Sequence, residues 1–95
     1  MESEGFTWDL GKEVLNIQKH GIDFVTASEV FIDRRRVVYI DFTHSVDEIR
    51  YFCIGQANGR IATVRFVYRE NKIRILGAGY WRKGVKIYEK ENKGG

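Results

Sequence analysis

The sequence predicts an α+β fold, with two N-terminal helices, an antiparallel meander of about four strands and a closing helix, in one domain over residues 1–95. Three observations carry this. The segment Phe6 to Phe24, FTWDLGKEVLNIQKHGIDF, has helical spacing and helix stop signals. From Val37 the pattern turns to β-branched and aromatic runs separated by Asn58-Gly59 and Glu70-Asn71. Helices followed by strands, without alternation, indicate segregated α+β architecture.

Phe6–Trp8 reads as a short leading strand. Asp9 is placed to cap a helix ending at His20, with Leu10, Val14 and Ile17 at i, i+4 and i+7. Lys12, Glu13, Asn16 and Lys19 fall mostly on its other faces, and Gly21 supplies a left-handed stop. Asp23 can cap a second helix through Phe31, whose apolar stripe is Phe24, Ala27 and Phe31. The strands are Val37–Phe42, Tyr51–Ile54, Ile61–Tyr68 and Ile73–Leu76; the last helix runs from about Gly84 to Asn92. Met1–Gly5 and Lys93–Gly95 read as frayed ends.

Asn58-Gly59 is a strong two-residue hairpin signal, and Glu70-Asn71 a second candidate. Two such turns set Tyr51 opposite Phe66 and Phe66 opposite Ile75. Side chains alternate between faces. One face then collects Tyr51, Cys53, Ala62, Val64, Phe66, Tyr68, Ile73 and Ile75 as a core. The other collects Arg50, Phe52, Arg65, Arg69, Lys72 and Arg74, so three adjacent strands share a cationic face. A one-residue slip in either turn destroys the grouping.

Composition limits the function classes. With 43% hydrophobic and 31% charged residues, the chain has the make-up of a globular domain. A lone cysteine, Cys53, excludes an internal disulfide and suits a reducing cytoplasm. The acidic start lacks an apolar leader, and no run approaches the ~20 apolar residues of a membrane span. A soluble cytoplasmic protein without membrane contact is expected. Six basic and ten acidic residues lie in 1–59, a net charge of −4; ten basic and three acidic lie in 60–95, a net charge of +7. That asymmetry favours an anionic partner.

Arginine offers phosphate a charged planar fork, so Arg50, Arg65, Arg69, Lys72 and Arg74 read as a backbone-binding surface, with Phe52 as a stacking partner for a base. The plainer role for these arginines is to lie over Phe52, Val67 and Leu76 and to pair with Asp41 or Asp47. Imidazole is suited to proton transfer, which makes His20 and His44 candidates for acid–base chemistry beside a bound phosphate. The plainer role for His20 is to cap the first helix, and for His44 to be a surface turn residue. Within Gly77–Gly84, Tyr80 and Trp81 can stack on bases while Arg82 and Lys83 hold phosphate; core packing of Trp81 beside a bend is the alternative. The two histidines, one cysteine and scattered carboxylates show no metal-ligand spacing, so no metal or other cofactor is expected.

The spacing F-x-W-D-x-x-K-x-x-x-N-x-x-K-H-G-[IV]-x-F resembles the opening of the BrnT toxin family. The resemblance continues through Val30-Phe31, Asp41-x-x-His44-Ser45, Glu48-x-Arg50-Tyr51, Ile54-Gly55, Tyr68-Arg69-Glu70 and Ile73-Arg74-Ile75. It implies a RelE-like fold, endoribonuclease activity that inhibits translation, and RNA as substrate on or off the ribosome. It also implies a BrnA-like antitoxin as partner, with promoter DNA bound only through that antitoxin. The matching polar residues are Lys19, His20, His44, Arg50 and Arg74. Where the family commonly has Ser-Ala-Arg after the Arg-Ile-Ile strand, this chain has Gly77-Ala78-Gly79. The alternative is therefore a catalytically weakened RNA- or antitoxin-binding module of the same fold.

Overall fold

Asn58 and Gly59 have φ of 52° and 74°, and Glu70 and Asn71 have 51° and 65°. Positive φ at both central residues defines the hairpin turns that match the natural strand twist. A computed structural model describing residues 2–93 shows what these turns organise. The elements are β1 (Glu2–Ser3), β2 (Phe6–Trp8), α1 (Leu10–His20), α2 (Phe24–Ala27), a 3-10 turn (Ser28–Ile32), β3 (Val37–Ile40), β4 (Tyr51–Ala57), β5 (Arg60–Arg69), β6 (Lys72–Gly79) and α3 (Arg82–Glu91). Among the described residues they build one six-stranded sheet, ordered β1-β2-β6-β5-β4-β3.

The expected register is present: Tyr51 faces Phe66, Phe52 faces Arg65 and Tyr68 faces Ile73. One irregularity was not foreseen. Phe66 faces Ile75 but Arg65 faces Gly77, so Leu76 is an extra residue bulged from β6. The bulge keeps Ile75 and Ala78 on the core face and aims Gly77 at Arg65.

The purely antiparallel meander is corrected to a mixed sheet. β2 runs parallel to β6, with Phe6 beside Ile73 and Trp8 beside Ile75, and β1 pairs antiparallel with β2. Glu2–Ser3 is therefore paired strand, tied further by a Glu2–Lys72 ion pair, where fraying was expected. Met1, Gly94 and Gly95 lie outside the described residues. The second helix is also corrected: it splits into α2 and the 3-10 turn, burying Val30 with Phe24 and Ala27 while Phe31 packs against Phe6 and Phe66. β3 ends at Ile40 because Asp41 turns the chain, its carboxylate bound by the His44 ring and its carbonyl by the Ser45 hydroxyl.

The apolar stripe of α1 faces outward. Leu10, Val14 and Ile17 are exposed, whereas Glu13 and Asn16 are buried. The physical reason is that α1 docks by hydrogen bonds. Glu13 accepts from Trp8 Nε1 (3.0 Å) and the Phe24 amide (2.9 Å). Asn16 donates to the carbonyls of Ile22 and Ala78 (both 3.0 Å) and accepts from the Ala78 amide (3.1 Å). Beyond the end of β2, Asn16 thus supplies β6 with the edge partner that a strand would otherwise give. The buried backbone groups of Ile22, Phe24 and Ala78 are thereby satisfied, which a face of aliphatic side chains could not do.

The core lies between the first sheet face and the α1–α2 segment, and includes Trp8, Ile22, Phe24, Val30, Val64, Phe66, Ile75 and Ala78. On the second face, α3 packs against β3, β4 and β5. There Gly84 is seated on Thr63 so closely that a Cβ would collide with the hydroxyl. The rest of that face is the candidate site.

Candidate nucleic-acid interface

Tyr39, Phe52, Arg65 and Gly77 form one row across the second face, each opposite the next on β3, β4, β5 and β6. The glycine makes room for the arginine: a Cβ there would stand 2.5 Å from Arg65 Nη2. Arg65 then reaches a cavity of about 160 Å³ lined by Lys12, Leu15, Asn16, Lys19, His20 and Leu76. The Asn16–Ala78 hydrogen bonds hold α1 there, which brings Lys12, Lys19 and His20 to the sheet edge. No carboxylate lines this cavity. Arg65 Nε is buried without a hydrogen-bond partner among the described residues. A buried donor left unsatisfied is costly, and the cations lining the cavity give it a chemistry suited to an anion.

A second cavity adjoins the first. About 400 Å³ in volume, it is lined by Tyr39, Phe52, Thr63, Trp81, Lys83 and Gly84. Tyr39 and Phe52 lie 5.1 Å apart at 31°, and Trp81 rests where a Cβ on Gly79 would be. The His20 ring meets Trp81 at 5.1 Å and 74°, linking the two cavities. Burial, with the charge of Asp41 behind it, pushes the Tyr39 phenol up, so it is a neutral hydroxyl at neutral pH. An aromatic slot beside a cationic slot can hold a base and its phosphate.

The other expected residues are distributed more widely. Arg65 and Arg74 share one face on adjacent strands, while Arg50 lies just before β4, and the three open into separate cavities. Arg50 lines a cavity of about 370 Å³ with Thr43, His44, Val46, Asp47 and Glu48. His44 there is more than a turn residue: its Nδ1 is 2.7 Å from Oδ2 of buried Asp41, which leaves Nε2 available. Arg74 lines a cavity of about 200 Å³ with Glu2, Thr7, Arg69, Glu70 and Lys72. Two of the expected phosphate ligands are already engaged, Arg69 by Glu48 and Lys72 by Glu2. The bond from Arg69 holds Glu48 below the usual carboxylate range. Asp41 pairs with His44 instead of an arginine, and the described residues show no ion pair to Arg50, Arg65 or Arg74.

Tyr80 and Trp81 do not act as a pair. Tyr80 packs against the core, with the Arg60 guanidinium 3.7 Å from its ring centre, while Trp81 lines the aromatic cavity on the other face. Arg82 and Lys83 occupy the first turn of α3, and only Lys83 lines that cavity. Sequence reasoning missed Lys12 and Tyr39. Lys12 was findable, since it lies seven residues before Lys19 and thus on the same helix face.

Residues 8–84 match the family described as "Ribonuclease toxin, BrnT, of type II toxin-antitoxin system". The chain belongs to the BrnT family. Every residue lining the cationic and aromatic cavities falls inside the matched stretch. Membership of a type II toxin family implies an antitoxin partner for this BrnT chain. No curated protein matches it. Among the described residues of this family member, no helix is long and apolar enough to cross a membrane, and no group of three or more His, Cys, Asp and Glu is arranged to hold a metal ion.

Proposed function

We propose that this chain is a metal-independent endoribonuclease toxin that inhibits translation by cutting RNA, and that the Arg65 cavity holds the scissile phosphate. The observation that carries the reading is a cavity lined by Lys12, Lys19, His20 and Arg65 and by no carboxylate. The neighbouring aromatic slot of Tyr39, Phe52 and Trp81 takes an adjacent base. In the reaction the 2′-oxygen bonds to phosphorus as His20 takes its proton. The P–O5′ bond breaks as Lys19 donates a proton to the departing 5′-oxygen, and Arg65 neutralises the charge that builds on phosphate. The products are a 2′,3′-cyclic phosphate and a 5′-hydroxyl. Arg74 on β6 and Arg50 just before β4 extend the cationic track to flanking phosphates. A RelE-like architecture for the single domain and a BrnA-like antitoxin that carries the promoter-DNA contact complete the proposal.

A second reading rests on the Asp41–His44 bond, which orients an imidazole beside Arg50 as a buried carboxylate does for a catalytic histidine. Incubating the purified chain with single-stranded RNA and a chelator tests both. Cleavage to cyclic-phosphate ends that His20→Ala abolishes supports the Arg65 centre. Loss with His44→Ala alone moves the chemistry to Asp41–His44. Intact RNA at high protein concentration overturns the nuclease reading in favour of a binding module.

A further inference from the structure

The two edges of the sheet are treated differently. At one, β1 is only two residues long and its Glu2 is held by Lys72. Short, charged edges resist strand addition. At the other, β3 pairs with β4 alone and carries no proline, lysine or bulge within Val37–Ile40. The Asp41 amide donates to the Arg50 carbonyl (2.8 Å) across that pair. Antiparallel hydrogen bonding alternates, so Tyr39 also turns its backbone groups to β4, and Val38 and Ile40 turn theirs to the open edge.

The same two residues present apolar side chains on the first sheet face, beyond the cover of α1 and α2. Val38 is 47% and Ile40 37% exposed, and Phe42 just past the strand is 83% exposed. Directly before the strand stand Arg34, Arg35 and Arg36, all exposed, with no ion pair to any of them among the described residues.

We propose that the β3 edge is a docking site for an extended segment of a partner protein, which adds to the sheet as a further strand. Alternate apolar residues of the segment cover Val38, Ile40 and Phe42, and carboxylates at one of its ends meet Arg34–Arg36. Backbone pairing gives such a contact its affinity and the flanking charges its specificity. The antitoxin that family membership implies is the natural source of the segment. Its apolar contacts lie on the opposite sheet face from Arg65, and it does not depend on the nuclease reading.

The test uses the isotope-labelled full chain and the synthetic peptide acetyl-Glu-Glu-Glu-Val-Thr-Val-Thr-Val-amide, followed by amide resonances and by amide exchange. The expected result is saturable binding with shifts centred on β3 and slowed exchange at Val38 and Ile40. A peptide with lysines in place of the glutamates should bind about tenfold more weakly. Val38→Pro removes an outward N–H without breaking the β4 pairing, and it should weaken binding while the remaining spectrum is kept. Failure to bind, shifts on another surface, equal binding of the lysine peptide, or occupation of the edge by a second copy of the chain would each overturn the proposal. The lysine-peptide comparison needs no variant, so a misfolded Val38→Pro leaves the test intact. RNA cleavage is not read, so loss of the nuclease reading leaves this result unaffected.

Discussion

Arg65 occupies the space over Gly77: a Cβ on that glycine would meet Nη2 at 2.5 Å and both Nε and Cζ at 3.2 Å. The pairing follows from the bulge at Leu76, which sets Gly77 opposite Arg65. The space that a side chain at this position would fill is therefore taken by a cation.

Gly77→Ser puts a side chain into that space and should displace the guanidinium. The displaced atoms end a flexible side chain, so unfolding stability should change by less than about 1 kcal/mol. RNA affinity should fall about tenfold, the equivalent of about 1.4 kcal/mol. Fluorescence anisotropy with labelled single-stranded RNA, alongside a urea melt, separates the two effects.

The reversed face of α1 makes a contrasting pair of expectations. Asn16→Leu, although apolar, leaves the Ala78 amide and carbonyl unpaired in the interior and should cost about 2–4 kcal/mol. Val14→Ser, on the stripe that helical spacing alone would bury, should stay within about 0.5 kcal/mol. Urea midpoints of the two variants decide which face is structural.

Asp33 gives a pH dependence of known sign. Burial raises its pKa, but the Tyr88 hydroxyl (2.7 Å) and the amides of Arg35 (2.9 Å) and Gln56 (2.8 Å) outweigh it, and the net shift is below the ordinary 3.8. A depressed carboxylate adds stability above its unfolded pKa and loses it as pH falls through the folded one. Stability should thus drop as pH falls below 3.8, and Asp33→Asn should flatten that acid limb. Tyr88→Phe removes the leading cause of the lowering and should flatten it in part. Urea midpoints at pH 5 and pH 3 measure both.

Cys53 should be inert. Burial, with the charge of Asp33 adding to it and that of Arg36 opposing, pushes its thiol up to about 12. The folded chain should resist iodoacetamide at pH 8 and label only once unfolded, as mass spectrometry would show.

The strand register was legible because it rests on local turn chemistry: Asn58-Gly59 and Glu70-Asn71 together set which residues share a face. The parallel β2–β6 pairing was not, because it joins residues some sixty-seven positions apart and leaves no local pattern. Helical spacing misassigned α1 because it weighs apolar side chains, whereas Glu13 and Asn16 dock this helix through polar bonds to distant backbone. The cationic face was read correctly as a face but not as a site. Alternation tells which side Arg65 and Arg74 occupy; only the bulge at Leu76 and the Asn16 dock decide that Arg65 meets Lys19 and His20.

The central claim is that the Arg65 cavity holds the scissile phosphate, and the rate of RNA cleavage by Arg65→Ala against Arg74→Ala tests it most directly. Both variants should melt like the parent and be assayed with the same single-stranded RNA in the presence of a chelator. Arg65→Ala should cut at least ~100-fold more slowly, as expected when a preorganised charge is lost at the reacting phosphate, and Arg74→Ala should stay within about tenfold. Parental cleavage by Arg65→Ala, or a larger loss with Arg74→Ala, would contradict the assignment.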